Sequence, residues 1–530
     1  MSAGLLFGFV IGYFILLLIV AWYTSRNANN ESFFIGNRNS NWMLVAFGMI
    51  GTSLSGVTFV SVPGTVGVAG FAYFQVVLGY FIGYFIIAFV LLPLYYRLNL
   101  TSIYNYLQHR FGMTSYKTGA LFFILSRILG ATARLYLVIN VLHIFILKDM
   151  NIPFAVTAFV ILLMILLYTF EGGVKTIVFT DTLQTTFMLL GLIVCIIYIM
   201  NNMGHSFGST MHELNGKGLT KIFNTDVNSS GFFIKQIIGG LFITATMTGL
   251  DQEMMQKNIS VRTLHDSRKN VLTFSVIIVI VNFLFLLMGG LLYLFAASKG
   301  INTAPDDLFP TVALHYMGKV IPIIFVIGLI SALFPSADGA LTALTSSFCI
   351  DILGLKRKTS VKPSDDILAM DRQLKEEEKA KRGTRLTVHF TFAIIFFLVV
   401  MGFKWVDNKS IIDVILKVAG FTYGPLLGLF AFGILTKRSI NDRLAIYACI
   451  AAPLIVWGID FINNIEWYQK QFHLTGNWVE SIKNVSQSIF GKFKIGYELL
   501  IYNGLLTFLG LWMISKPPNP LNGASATSSA

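Results

Sequence analysis

The stretch "GTSLSGVTF" (51–59) interrupts an apolar segment, 42–62, that is otherwise long enough to cross a bilayer. Gly51, Thr52, Ser53, Ser55, Gly56 and Thr58 are poor residues for an unbroken apolar helix, and Pro63-Gly64 follow closely. A second segment, 232–250, is interrupted in the same way by "TATMTGLDQ" (244–252). About 20 apolar residues span a bilayer as a helix. By that measure the chain holds thirteen segments: 3–23, 42–62, 69–97, 118–147, 152–170, 178–200, 232–250, 271–298, 319–350, 386–403, 410–436, 443–463 and 497–515. The two broken ones stand five apart. An odd offset puts them in opposite orientations, as in an inverted repeat of spans two to six against seven to eleven. Interrupted helices in corresponding positions mark a carrier's binding site. Small residues such as Gly51, Ser55 and Gly56 also serve close helix packing, and periodicity alone leaves both readings open.

The composition fits a membrane protein. Of 530 residues, 55% are hydrophobic and 12% charged, with mean hydropathy +0.71; soluble domains are about a quarter charged. With the N-terminus outside, most of the 39 Lys and Arg residues fall in the inner loops, as the positive-inside rule expects. The net charge of +13 is therefore a cytoplasmic rim beside lipid, and no nucleic-acid partner is expected. The N-terminal run lacks a signal peptide's positive start and cleavage site, so it reads as a retained first span. The three cysteines lie in apolar segments and suggest neither a disulfide framework nor a metal cluster. The charged run 371–385 suits a solvated helix, and the tail 516–530 reads as disordered.

"EGGVKTIVFTDTLQ" (171–184) resembles the signature of the sodium:solute symporter family: Gly172, Gly173, Phe179, Thr180, Asp181 and Gln184 stand at its marked positions. "ESFFIGNRNSNW" (31–42), "LTSIYNYLQHRFG" (100–112) and the Ser/Thr-rich end of segment 319–350 are similar to three further family segments. The resemblance implies an all-α polytopic protein of the LeuT-type 5+5 inverted-repeat fold, with about thirteen membrane helices. It divides the single domain 1–515 into an extra first helix (3–23), a first repeat (42–200), an inverted second repeat (232–436) and C-terminal helices (443–515). The segment 356–385 is expected as a charged cytoplasmic loop.

The family's main sodium site uses backbone carbonyls and two hydroxyls. Carried over, the carbonyls fall on Gly51, Leu54 and Ala332 and one hydroxyl on Ser336. The other falls on Pro335, which has neither hydroxyl nor N–H. A second site in some members joins the signature aspartate to two serines; here those positions are Asp181, Asp338 and Gly339. A charge in hydrocarbon costs roughly 2.5–3.5 kcal/mol on insertion scales. Asp338 is read as replacing missing hydroxyls with charge, and the sodium set is therefore Gly51, Leu54, Ala332, Ser336, Asp338 and Asp181. A structural ion pair of Asp338 with Arg127 or Arg134, or proton carriage by Asp338, are the competing readings.

The side chains that galactose-type carriers use are absent: their positions hold Thr58, Phe74, Ile278 and Leu416. Candidate substrate contacts are Ser55, Thr58, Gln75, Arg134, Thr244 and Lys417. Arg134 falls about 24 Å from the inner end of its span at ~1.5 Å per residue, near the midplane. A guanidinium there suits a carboxylate. The expected function is sodium-coupled import of a small organic solute by alternating access, with an acidic sugar or organic acid as the suggested cargo. A proton-coupled carrier or a carrier-fold nutrient sensor are the alternatives. Partners are the solute, sodium ions and the bilayer. The expected location is the cell inner (plasma) membrane, multi-pass, with the N-terminus outside and the C-terminus cytoplasmic. No catalytic motif appears, so no enzyme is expected.

Overall fold

The computed structural model describes residues 3–25, 33–34, 38–169, 173–204, 206–355, 367–406 and 411–517. Gly172, residues 356–366 and residues 518–530, all within segments named above, lie outside these. Among the described residues, eight helices are long and apolar enough to cross a membrane, three bent pairs add one span each, and two shorter apolar helices complete the set. All thirteen segments read from the sequence fall on these elements.

The chain opens with α1 (Ala3–Thr24). The first broken span is α2 (Trp42–Ser53) and α3 (Gly56–Ala69), bent by 56°. Next come α4 (Tyr73–Ile86, continuing helically to Arg97), α5 (Met113–Leu142), α6 (Phe154–Thr169) and α7 (Gly173–Met203). The second broken span is α8 (Phe233–Met247) and α9 (Gln252–Ile259), bent by 66°. Then follow α10 (Leu264–Lys299), α11 (Ile321–Ser347) and α12 (Ile367–Val406). A third bent pair, α13 (Ile411–Thr422) and α14 (Gly424–Leu435), precedes α15 (Ala445–Asn463) and α16 (Leu499–Met513). The charged run 371–385 forms the first turns of α12. The short strands β1 (Ser439–Ile440) and β2 (Ser515–Lys516) pair antiparallel beneath α14 and α16.

Close helix approach follows from small residues. A Cβ on Gly79 of α4 would stand 2.1 Å from the Ile237 carbonyl, and one on Gly240 of α8 would stand 2.3 Å from the Val76 carbonyl. The two helices therefore meet backbone to backbone. The segment ending in Arg-Phe-Gly has a physical explanation too. Arg110 donates to the carbonyls of Gly433, Thr436 and Arg438 at 3.2, 2.8 and 2.9 Å, tying it to the end of α14. Gly112 has φ +148° and no room for a side chain, because a Cβ would lie 2.5 Å from the Asp442 carboxylate. That carboxylate caps α5, accepting from the Thr114 and Ser115 N–H groups at 2.8 Å and the Ser115 hydroxyl at 2.6 Å.

Gly112→Ala should therefore lose both a relaxed backbone and a helix cap. A cost of about 1–2 kcal/mol, the range for a lost cap, is expected as a lower Tm of the purified protein. An unchanged Tm would show that Asp442 does not depend on the bare backbone at Gly112.

Candidate functional site

Both breaks expose backbone in the middle of the bundle, where unpaired amides and carbonyls are costly. At the second break the sequence supplies partners. The hydroxyls of Tyr95 and Tyr104 donate to the carbonyls of Gly249 and Leu250 at 2.7 and 2.9 Å. Asp251, extended at φ −100° and ψ 124°, caps α9 by accepting from the Glu253 and Met254 N–H groups. Its other oxygen accepts from the Tyr423 hydroxyl at 2.9 Å. The first break is different. Leu54 and Ser55 are extended, and among the described residues the carbonyls of Gly51 to Leu54 accept no backbone hydrogen bond.

Between the breaks lies a cavity of about 100 Å³. Ser53, Ser55 and Thr58 reach it from the first break, Thr244 and Thr248 from α8, Tyr80 and Tyr84 from α4, and Arg127 and Arg134 from α5. Among the described residues Arg134 forms no hydrogen bond or ion pair. Tyr73 and Leu416 line both this cavity and a second chamber of about 520 Å³, so they are the partition between the two. Gln75 and Lys417 line the second chamber rather than the central cavity. Lys417 pairs with Asp460 at 2.8 Å and lies over the rings of Trp467 and Tyr468. Burial, then the Asp460 carboxylate that its hydroxyl meets at 2.6 Å, hold the Tyr468 phenol well above its ordinary pKa.

The residues carried over for sodium gather where α2 ends against α11 and α7. A Cβ on Gly51 would meet the Thr185 hydroxyl at 2.5 Å and Pro335 at 3.4 Å. Ala332 and Ser336 are fully buried one turn apart on α11, which runs on through Pro335. The Ser336 hydroxyl is buried without a hydrogen-bond partner. Asp338 is fully buried; it accepts from the Tyr168 hydroxyl at 2.7 Å and from the Gly339 N–H. Among the described residues no arginine pairs with it. Asp181 accepts from Lys257 at 2.6 Å and from the Thr52 hydroxyl at 3.0 Å through one oxygen, and its other oxygen has no partner.

Three charged residues here were missed by the sequence reading, which ended its seventh span at residue 250 and placed Lys257 in an inner loop. Gln252 to Ile259 form a fully buried half-helix. Lys257 bridges Asp181 and Glu253, the latter at 3.6 Å. Glu253 also pairs with Arg127, which stands 3.7 Å from Asp251. A Cβ on Gly339 would run into the Glu253 carboxylate, so α11 touches α9 there. The available signal was the register: Glu253 and Lys257 are four apart on one helix face, directly after a broken apolar span.

A model of the sodium:solute symporter family matches residues 33–451. The sodium/sialic acid symporter SiaT of Proteus mirabilis is 23% identical over 88% of this chain and 90% of its own length. Mouse sodium-coupled monocarboxylate transporter 1 is 25% identical over 81% of this chain and 68% of its own. A solved structure of a Na⁺-coupled sialic acid symporter, substrate-bound and outward-open, superposes with TM-score 0.76 at 19% identity, covering 96% of this chain and 97% of that one. The fold is thus the LeuT-type one.

Removing one partner of a buried pair typically costs about 3–5 kcal/mol, because the other charge is stranded. Arg127→Met should therefore lower the Tm strongly, whereas Arg127→Met with Glu253→Gln should recover part of the loss. Additive effects in this double-mutant cycle would show that the pair is not coupled.

Proposed function

The chain belongs to the sodium:solute symporter family and is a sodium-coupled membrane carrier, not an enzyme; on that premise we propose that its solute is a small organic anion whose carboxylate is taken by Arg134. One observation carries the reading: Arg134, which among the described residues forms no hydrogen bond or ion pair, lines a central cavity that Ser53, Ser55, Thr58, Thr244 and Thr248 also line. Such a group is costly unless a ligand completes it, and its planar fork suits a carboxylate. Ser55, Thr58 and Thr244 supply hydroxyls for the rest of a polar solute. The relatives named above carry sialic acid and monocarboxylates by name, and both are acids.

For sodium, the proposed ligands are the carbonyls of Gly51, Leu54 and Ala332 and the hydroxyl of Ser336, with Asp338 and the open oxygen of Asp181 beside them. Hard cations take oxygen ligands; this region offers unpaired carbonyls, an orphan hydroxyl and an unpaired carboxylate. Asp181, Asp251 and Glu253 stand beside Lys257 and Arg127, whereas Asp338 makes no ion pair among the described residues and accepts only from Tyr168 and the Gly339 N–H. A bound sodium supplies a positive charge there and clamps α2 to α11. Solute on Arg134 adds a negative charge to the same network, so each ligand favours the other electrostatically.

The carrier is placed in the cell's inner (plasma) membrane with its N-terminus outside and its C-terminus cytoplasmic, a placement supported by the Lys/Arg asymmetry of the loops. The repeats are taken as 42–200 and 232–436. Outward access leads through the chamber bounded by Tyr73 and Leu416. Inward access requires the ion pairs of α9 to part.

Uptake of radiolabelled acids into proteoliposomes tests the cargo. Arg134→Gln should raise KM for the transported acid about 10- to 150-fold, the value of a charged hydrogen bond, and Arg134→Lys should restore part of it. A neutral sugar transported equally well by wild type and Arg134→Gln would overturn the reading. For the ion, Asp338→Asn should weaken sodium-dependent thermal stabilisation, with Pro335→Ser returning some of it by restoring a hydroxyl. Wild-type sodium affinity in Asp338→Asn would remove the carboxylate from the site.

A further inference from the structure

Apart from the central cavity, a groove of about 610 Å³ runs between the end of α4 and the end of α14. Its walls change character along one helix face. Val90, Leu94 and Arg97 are spaced by four and three residues, so they lie in a row. Val90 and Leu94 are apolar, and the row ends in a guanidinium at the last turn of the span. Arg110, Lys437 and Tyr106 line the same space. Among the described residues no carboxylate lines it.

The three cations are not equivalent. Arg110 is fixed in place by the carbonyls of Gly433, Thr436 and Arg438 and lies over the Phe111 ring, 4.9 Å from its centroid. Arg97 and Lys437 are exposed, and among the described residues neither makes a hydrogen bond or an ion pair. Three like charges converging on one groove repel one another unless an anion joins them. Solvent-exposed cations could scatter; here one is held rigid and two extend toward the same volume.

We propose that this groove binds the headgroup of an anionic phospholipid, with the phosphate between Arg97, Arg110 and Lys437 and an acyl chain along Val90 and Leu94. The shared chemistry with a soluble anion is the phosphate. The apolar row leading away from it is what favours the lipid, because free phosphate has no use for that wall. Basic pockets between membrane helices are a recognised form of lipid headgroup site. The occupant would bridge α4 of one repeat to α14 of the other, at the hinge-like ends of two spans.

The test uses the full-length chain in detergent, titrated with phosphatidylglycerol, phosphatidylcholine or inorganic phosphate while Tm is followed. Phosphatidylglycerol should raise Tm in wild type, and the other two should not. Arg97→Gln with Lys437→Gln should weaken the apparent affinity for phosphatidylglycerol roughly 30-fold, since each basic residue near an anionic surface contributes a similar increment. Lys117→Gln with Arg443→Gln removes the same charge elsewhere and should leave the response intact. Sodium-dependent stabilisation should be unaltered in both double variants. An equal loss in the two double variants would reduce the effect to general surface charge and overturn the site. An equal shift with inorganic phosphate would make it a soluble-anion site and overturn the lipid assignment. No response of wild type to phosphatidylglycerol would overturn the proposal outright.

Discussion

Lys257 joins three helices inside the bundle. Its ammonium stands 2.6 Å from Asp181 and 2.7 Å from the Thr52 hydroxyl, and 3.6 Å from Glu253. Those contacts join α9 to α7 and to the end of α2. A buried ion pair is weak evidence of stability for its own sake, because desolvation offsets the Coulomb gain. What it gives instead is a definite arrangement: with each charge stranded unless its partner is present, α9 has few alternative seats. The broken helices keep their place because hydroxyls satisfy the second break and charges fix the half-helix after it.

The same arrangement bears on the proposed sodium site. Asp338 makes no ion pair among the described residues, and its helix meets the end of α2, whose carbonyls the first break leaves without amide partners. On that proposal a bound ion completes the arrangement, and an anionic solute on Arg134 would act on charges linked to it through Arg127, Glu253 and Lys257, so coupling would need no long-range signal.

Much of this was legible in the sequence. Thirteen apolar segments, two interruptions five spans apart and an arginine near a midplane are properties of residue type and spacing, and the helices obey them. Hydropathy failed at residues 251–259. A window average counts Asp251, Glu253 and Lys257 as a polar loop, whereas pairing across three helices makes the half-helix buriable. The partners come from sequence positions 127 and 181, and no local window contains them. Lys417 failed for a related reason: its depth along a span was readable, but Asp460 and Trp467, which hold it to the second chamber, are supplied by α15 and the short helix Ile465–Phe472 after it.

Pro335 is the point at which these lines meet. It takes the place of a family hydroxyl and has no N–H, so the Ser331 carbonyl lacks its helical donor. Yet α11 continues through it, and a Cβ on Gly51 would touch its ring at 3.4 Å. A proline ring there packs against the very turn whose carbonyls are free. On the proposed sodium site, loss of one neutral ligand and gain of a nearby carboxylate at Asp338 shift the balance from coordination by dipoles toward attraction by charge. A site built that way discriminates less by ligand geometry and more by the field it sits in. Its affinity for sodium would then depend on Lys257 and Arg127 as well as on the atoms that touch the ion.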